Sequence, residues 1–302
     1  MPEIKENILA TLAYFDLFKY PLTSVEIYSF LKNKHAQKDF DHALTLLCVH
    51  ERVYRFNELY SLSNDQSLTI RRYKGNKKAA DLIKIAGKVG SFLIRFPYVR
   101  GVAVSGSLSK NYADENSDID LFIITAKNRL WIARTLMHAF KKLTFLVNRQ
   151  DYFCMNYYID EQQLEIIEKS TYTAIEIVTL IPLRGSGIFE KFCAANTWTE
   201  QYLPNKVMDL SPVQPAPDSY FKGLMESLFN NAAGDGIDNL LMSITAGRWL
   251  KKTQKNKLNA KGKTMGLDVN KHYAKPDPKN FQQPLLKEYD YKLNYFLTKE
   301  MM

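Results

Sequence analysis

The chain has 302 residues, 46% apolar and 24% charged, which excludes a disordered chain, a collagen and a coiled coil and leaves room for two or three domains. Its 41 Lys+Arg against 32 Asp+Glu give a net charge of +9, which points to a polyanionic partner such as nucleotide, nucleic acid or an acidic membrane surface. The sum hides a distribution: residues 1–100 carry +6, residues 101–200 carry −2 and residues 201–302 carry +5.

The elements come in a readable order. Ile4, Ile8, Leu9, Leu12 and Phe15 recur at helical spacing and predict a helix over 4–17. Tyr20-Pro21-Leu22-Thr23 breaks the chain, and Thr23 with Glu26 forms a capping box that opens a helix over 24–32. A third helix is expected over 38–49, with Phe40, Ala43, Leu44, Leu46 and Leu47. Apolar alternation on either side of Asn57-Glu58 predicts a β-hairpin. Three helices followed by a hairpin is the order of a winged-helix domain.

Residues 66–95 read as a long basic linker helix, with Ala79, Leu82, Ile83, Ala86, Val89, Phe92 and Leu93 on one stripe and a solvated basic face opposite. Strands are expected over 99–105, 118–125 and 152–159, with a helix over 128–146 between the last two. From 161 onward the pattern is helical, over 161–180, 186–201, 219–230 and 237–256, with a Pro-rich break at 204–217. The tail from 259, holding Gly262, Gly266, Pro276, Pro278 and Pro284, reads as irregular.

The chemistry concentrates in one segment. The strand over 99–105 ends at Gly106-Ser107, where a glycine lets backbone approach a ligand and free N–H groups suit phosphate. Ten residues on, Asp118 and Asp120 open the next strand. A period of two puts both carboxylates on one face, with Ile119, Leu121 and Ile123 on the other. Adjacent carboxylates repel, and a divalent cation relieves the repulsion. Hard oxygen ligands select Mg²⁺ or Mn²⁺. A phosphate turn facing a carboxylate pair suits metal-assisted phosphoryl or nucleotidyl transfer.

This segment, Ser105-Gly106-Ser107, ten residues, then Asp118-Ile119-Asp120-Leu121, resembles the signature of the polymerase-β-like nucleotidyltransferase superfamily. Ser105 departs from it, standing where the signature has an apolar residue. The winged-helix, core and helical-tail arrangement looks like one bacterial group of that superfamily. The runs Tyr172-Thr173-Ala174 to Pro182-Leu183 and Ala195-Asn196-Thr197-Trp198 to Leu203-Pro204-Asn205 add to the likeness. The resemblance implies that Gly106 and Ser107 hold an NTP triphosphate and that Lys110, where relatives often have Arg, steadies a phosphate. It implies that Asp118 and Asp120 bind the metals, and that an acceptor hydroxyl attacks the α-phosphate. Such relatives supply a third acid from a later strand. Here the matching position is Asn156, a neutral oxygen donor and no base. Asp151 and Glu176 are the nearby acids that could substitute; otherwise the second metal is weak or catalysis is lost.

The fold class expected is therefore α+β, a nucleotidyltransferase-type mixed sheet flanked by a winged-helix N-domain and a helical C-domain. Its parts are 1–65 winged helix, 66–95 linker helix, 96–160 core, 161–258 helical domain and 259–302 irregular tail. The function expected is transfer of NMP from an NTP to a hydroxyl acceptor, which could be RNA, a protein or a small molecule. The alternative is a degenerate protein that binds nucleotide or a partner without turnover.

Other features carry open readings. Lys38, Asp39, Asp41 and His42 on the third helix do not make a phosphate-seeking face, which argues against DNA binding. The tract Arg248-Trp249-Leu250-Lys251-Lys252 and onward to Lys257 suits RNA or phosphate, or a solvated helix end. Arg134 and His138 face either the nucleotide or solvent. Tyr152, Tyr157, Tyr158 and Tyr172 either pack in the core or stack on a base. No run of 18 uncharged apolar residues exists, the first residues show no secretory leader, and three scattered cysteines read as buried thiols. A cytoplasmic protein away from membranes is expected.

Overall fold

The computed structural model describes residues 2–147, 149–217, 219–254, 266–277 and 282–298. The N-terminal unit begins with α1 (Pro2–Asp16), a two-residue strand β1 (Leu22–Thr23), α2 (Ser24–Ser29) and α3 (Gln37–Val49). The hairpin β2 (Tyr54–Phe56) and β3 (Leu59–Ser61) follows, and β1 pairs antiparallel with β3 to give a three-stranded sheet. The capping box is present at α2: Thr23 Oγ1 accepts from the Glu26 N–H, and the Thr23 N–H donates to Glu26 Oε2 at 2.8 Å.

The long helix α4 (Ser67–Leu93) is part of the core rather than a linker. Its stripe of Ala79, Leu82, Ala86, Val89 and Leu93 is buried against one face of the central sheet. That sheet contains β4 (Val99–Val104), β5 (Asp120–Thr125), β6 (Cys154–Asp160), β7 (Ile181–Arg184), β8 (Gly266–Val269) and β9 (Tyr273–Asp277), in the order β7-β4-β5-β6-β9-β8. It is mixed: β5 and β6 are parallel, and the other neighbours are antiparallel. Between the strands lie the one-turn α5 (Gly106–Ser109), α6 (Leu130–Thr144), α7 (Thr171–Val178) and α8 (Ser186–Ala195). The chain continues through α9 (Tyr220–Phe229), α10 (Ala232–Gln254) and α11 (Gln282–Thr298). The architecture is α+β.

Alternation along β5 divides the core. Leu121 and Ile123 face α4 and α6, while Phe122 and Ile124 face Phe189 and Phe192 of α8 and a core that continues into the N-terminal unit. That second cluster is why the two units pack as neighbours.

The C-terminal expectations need correction. Residues 161–180 were expected as one helix, but only Thr171–Val178 are helical, and Ile181–Arg184 form β7. Pro182 disguised the strand; it is tolerated because β7 is the sheet's edge. The helix expected over 186–201 ends at Ala195, and a 3₁₀ turn covers Thr197–Gln201. The region 161–258 is not a separate helical domain. α7 and α8 lie on one side of the sheet, and α10 packs against α6 on the other. The tail is not wholly irregular: β8 and β9 extend the central sheet through β6, and α11 packs on α1. There Lys292 pairs with Asp16, and Arg52 donates to the Phe296 carbonyl at 2.7 Å. Gly262 and Pro278 lie outside the described residues. The cysteines are free but half-buried rather than fully buried. No helix among the described residues is long and apolar enough to cross a membrane.

Candidate active site

The site forms where β4 ends beside the start of β5. Gly106 closes β4 with φ +69°, a conformation that glycine adopts at low cost. A Cβ at that position would stand 2.4 Å from Asp120 Oδ2. The turn and the carboxylate are therefore in close contact, and only a residue without a side chain fits between them. The Ser105 N–H donates to the Asp120 carbonyl at 2.9 Å, which fixes the turn to the strand. Ser107 is exposed at the mouth.

Asp118 precedes β5 and Asp120 begins it. Both are half-buried, while Ile119 between them is fully buried, as the alternation predicts. The Ile119 N–H donates to the Asp151 carbonyl and its own carbonyl accepts from the Cys154 N–H, so the segment is stitched to the chain entering β6. Pairing of β5 with β6 shifts register between Leu121 and Phe122: Leu121 opposes Met155, but Phe122 opposes Tyr157. Asn156 is the extra residue of this bulge. The bulge lets its amide reach Asp120, to whose Oδ1 it donates at 2.5 Å. The amide oxygen accepts from the Cys154 thiol at 3.4 Å. Burial, with the nearby Asp120 and Asp118 carboxylates adding to it, pushes the Cys154 thiol up to about 11.

Gly106, Asp120 and Asn156 thus meet at one point, with Asp118 two residues before Asp120 and Ser107 next to Gly106 in the chain. Lys110 joins them differently. Its ammonium donates to the Gly106 carbonyl at 3.0 Å and pairs with Glu176 of α7 at 2.8 Å. Glu176 is therefore tied to the site through a lysine. Asp151 is exposed, and its contribution is the backbone carbonyl that holds Ile119. Among the described residues no three His, Cys, Asp or Glu side chains are disposed to hold one cation. Carboxylate oxygens are hard donors of the kind Mg²⁺ or Mn²⁺ takes, and Asp118 and Asp120 are the residues that would hold such an ion; the Asn156 amide turns its N–H, not its oxygen, toward Asp120.

The turn is buttressed by the N-terminal unit. The Tyr20 hydroxyl donates to the Lys110 carbonyl at 3.0 Å. Tyr112 packs on Gly75 of α4, with the Arg71 guanidinium 4.5 Å over its ring. Arg72 stacks 4.5 Å over Tyr20 and makes a two-pronged pair with Glu26 at 2.7 and 2.8 Å. Sequence reading missed this clamp because its members are scattered from residue 20 to 112; a basic helix was the only visible trace.

Three other expectations resolve away from the site. Arg134 and His138 face neither nucleotide nor solvent. They sit on the sheet's other face, with the Arg134 guanidinium 4.9 Å over Trp249 and 6.0 Å over Tyr158. Burial, then the neighbouring Arg134 charge, lowers His138 to about 3, so it is neutral. Trp249 is consequently spent on packing, which removes the aromatic from the basic tract; residues 255–257 of that tract lie outside the described residues. Tyr158 is buried, and Tyr157 stacks on Phe122 at 5.5 Å, so both are core residues.

A glycine turn locked onto a carboxylate strand, in a mixed sheet backed by helices, is consistent with a nucleotidyltransferase-type fold. Residues 72–186 match the family model described as a nucleotidyltransferase domain. The match begins in α4 and ends beyond β7, so it takes in most of α4 and all of α7 and β7, which lie outside the expected core of 96–160. No curated protein and no solved structure matches the chain.

Proposed function

We propose that the protein is a metal-dependent nucleotidyltransferase that moves NMP from an NTP to a hydroxyl acceptor. The observation that carries this reading is the contact between Gly106 and Asp120, which brings a glycine turn and a carboxylate to one point. Gly106 and Ser107 hold the triphosphate, Lys110 meets a phosphate oxygen as a point charge, and Asp118 and Asp120 hold Mg²⁺ or Mn²⁺. Bound there, the cation supplies Lewis-acid stabilisation of the phosphate charge. Asn156 orients Asp120 through its N–H and offers an oxygen donor only if its amide turns over. The acceptor class (RNA, protein side chain or small molecule) is open, and the basic flanks favour an anionic one.

The N-terminal unit fits a winged helix, since β1 pairs with the hairpin between a preceding helix and two following ones. Exposed Asp39 and Asp41 on α3 speak against duplex DNA and for a packing or partner role. A cytoplasmic location fits the free cysteines.

A second reading, nucleotide or partner binding without turnover, is favoured by the lack of a third carboxylate among the described residues. Incubation with each α-labelled NTP and Mg²⁺ or Mn²⁺ separates the two. Label transfer or pyrophosphate release that Asp118→Ala abolishes supports the enzyme; calorimetric binding without turnover across RNA, protein and small-molecule pools supports the second reading. A gel shift showing salt-sensitive duplex binding would return DNA as a partner.

A further inference from the structure

The ammonium assigned to phosphate is already neutralised. Lys110 Nζ lies 2.8 Å from Glu176 Oε1, in a setting where both side chains are mostly buried, 14% and 25% exposed. The lysine backbone is held from the other side by Tyr20, and α5 is tied down by Ser109, whose hydroxyl donates to the Gly106 carbonyl at 2.9 Å. The ammonium itself is held by the Glu176 carboxylate and by the Gly106 carbonyl, to which it donates at 3.0 Å. Glu176 sits on α7, whose C-cap residue Thr179 has its hydroxyl 3.5 Å from Ser109, so the carboxylate is delivered by a rigid neighbour and not by a loop.

We propose that Glu176 is a built-in competitor for the nucleotide: it occupies at Lys110 the place that a phosphate oxygen takes in the loaded protein, and so sets how tightly the site holds its triphosphate. This rests on the reading of Lys110 as a phosphate contact. An ammonium shared between two anions holds each more weakly, so phosphate binding includes the cost of loosening the Lys110–Glu176 pair. The displaced carboxylate has a donor within its field. Tyr14 of α1 carries a hydroxyl that is buried and unpartnered among the described residues, and the Glu176 charge acts on it. Glu176 is thus a residue that tunes affinity through Lys110 and does not touch the reacting atoms.

The test is calorimetric binding of non-hydrolysable NTP analogues, with Mg²⁺, to the full chain and its variants. Glu176→Gln keeps the shape and removes the charge; we expect binding about three- to tenfold tighter. Glu176→Ala, which makes the result independent of any new amide contact, changes affinity in the same direction. Lys110→Gln weakens binding, and in the Lys110→Gln background the Glu176→Gln gain disappears, because the competitor has lost its target. Analogue binding that depends on Asp118 and Lys110 but does not tighten in either Glu176 variant overturns this inference alone. Absence of binding to wild type and to both Glu176 variants overturns the nucleotide reading of the site itself.

Discussion

Asn156 donates its amide N–H to Asp120 Oδ1 at 2.5 Å across the parallel β5–β6 pair. This contact exists because a bulge adds one residue to β6 at the level of the carboxylate. A neutral donor stands where an acid would repel Asp120 unless a cation lay between them.

Asn156→Asp turns that contact into a like-charge pair. Without divalent cation it should lower stability by about 1–3 kcal/mol, seen as a drop in Tm in chelator. Mg²⁺ or Mn²⁺ should recover more Tm in the variant than in wild type, because a third carboxylate raises the value of the cation. Equal recovery in both proteins would argue against a cation between Asp118 and Asp120.

Gly106→Ala tests the contact that carries the functional reading. The new methyl would stand 2.4 Å from Asp120 Oδ2, on backbone at φ +69°. We expect about 1–3 kcal/mol of destabilisation and loss of nucleotide binding, while Gly187→Ala, with open space around its Cβ, should leave binding unchanged. Urea melts and the same calorimetric titration check both.

The central motif was legible because its chemistry is local. A strand, a glycine, and two aspartates two residues apart dictate their own geometry, and Asp118, Ile119 and Asp120 alternate as expected. The capping box at Thr23 and Glu26 was legible for the same reason. β7 was not, since Leu180-Ile181-Pro182-Leu183 has no periodicity that separates a short edge strand from a helix end. The Lys110–Glu176 pair spans 66 positions, and Arg72–Glu26 spans 46. Such pairs are set by how units pack, and a single sequence contains no sign of them. Arg134 and His138 show the reverse error: polar residues one turn apart suggest a surface, yet aromatic stacking on Trp249 and Tyr158 takes them inside.

The thiol of Cys154 reports on the carboxylate pair. With its pKa near 11, roughly one thiol in a thousand is ionised at pH 8, so alkylation there should be slow. Asp120→Asn removes a nearby negative charge and should speed alkylation of Cys154 at pH 9 several-fold. Mass mapping separates it from Cys48 and Cys193. An unchanged rate would mean that burial alone sets the thiol.

Arg72 joins the two units through Glu26, the Pro21 carbonyl and the Tyr20 ring. Arg72→Ala leaves Glu26 without its cation and frees Tyr20, which holds the Lys110 carbonyl. Because Glu26 is one-third exposed, the expected loss is about 2–3 kcal/mol rather than the full value of a buried pair. A weaker nucleotide affinity should accompany it, since the Lys110 turn loses its brace. Restoration of stability by Arg72→Lys should be partial, because an ammonium cannot repeat the two-pronged contact.

Acid stability should depend on two opposing groups near α6. His138 is held neutral by burial, with its pKa lowered from 6.5 to about 3. Between those values the unfolded chain binds a proton that the folded protein does not, so this group costs stability progressively as pH falls below 6.5. Asp238 behaves oppositely. Burial raises it from 3.8 to about 6, although the Trp131 and Ile132 N–H groups both donate to its Oδ1 at 2.9 Å. Between 3.8 and 6 the folded protein holds the extra proton, so the group's favourable contribution is full below 3.8 and is lost as pH rises through 6. In wild type the two slopes offset between pH 6 and 4. Asp238→Asn keeps an oxygen acceptor for both N–H groups but removes its slope, so its stability should fall more steeply than wild type on acidification. His138→Gln should do the reverse, with stability relative to wild type rising from pH 6 to 4. Urea melts at half-unit pH intervals measure both; parallel profiles for the three proteins would show that neither group is shifted by its surroundings.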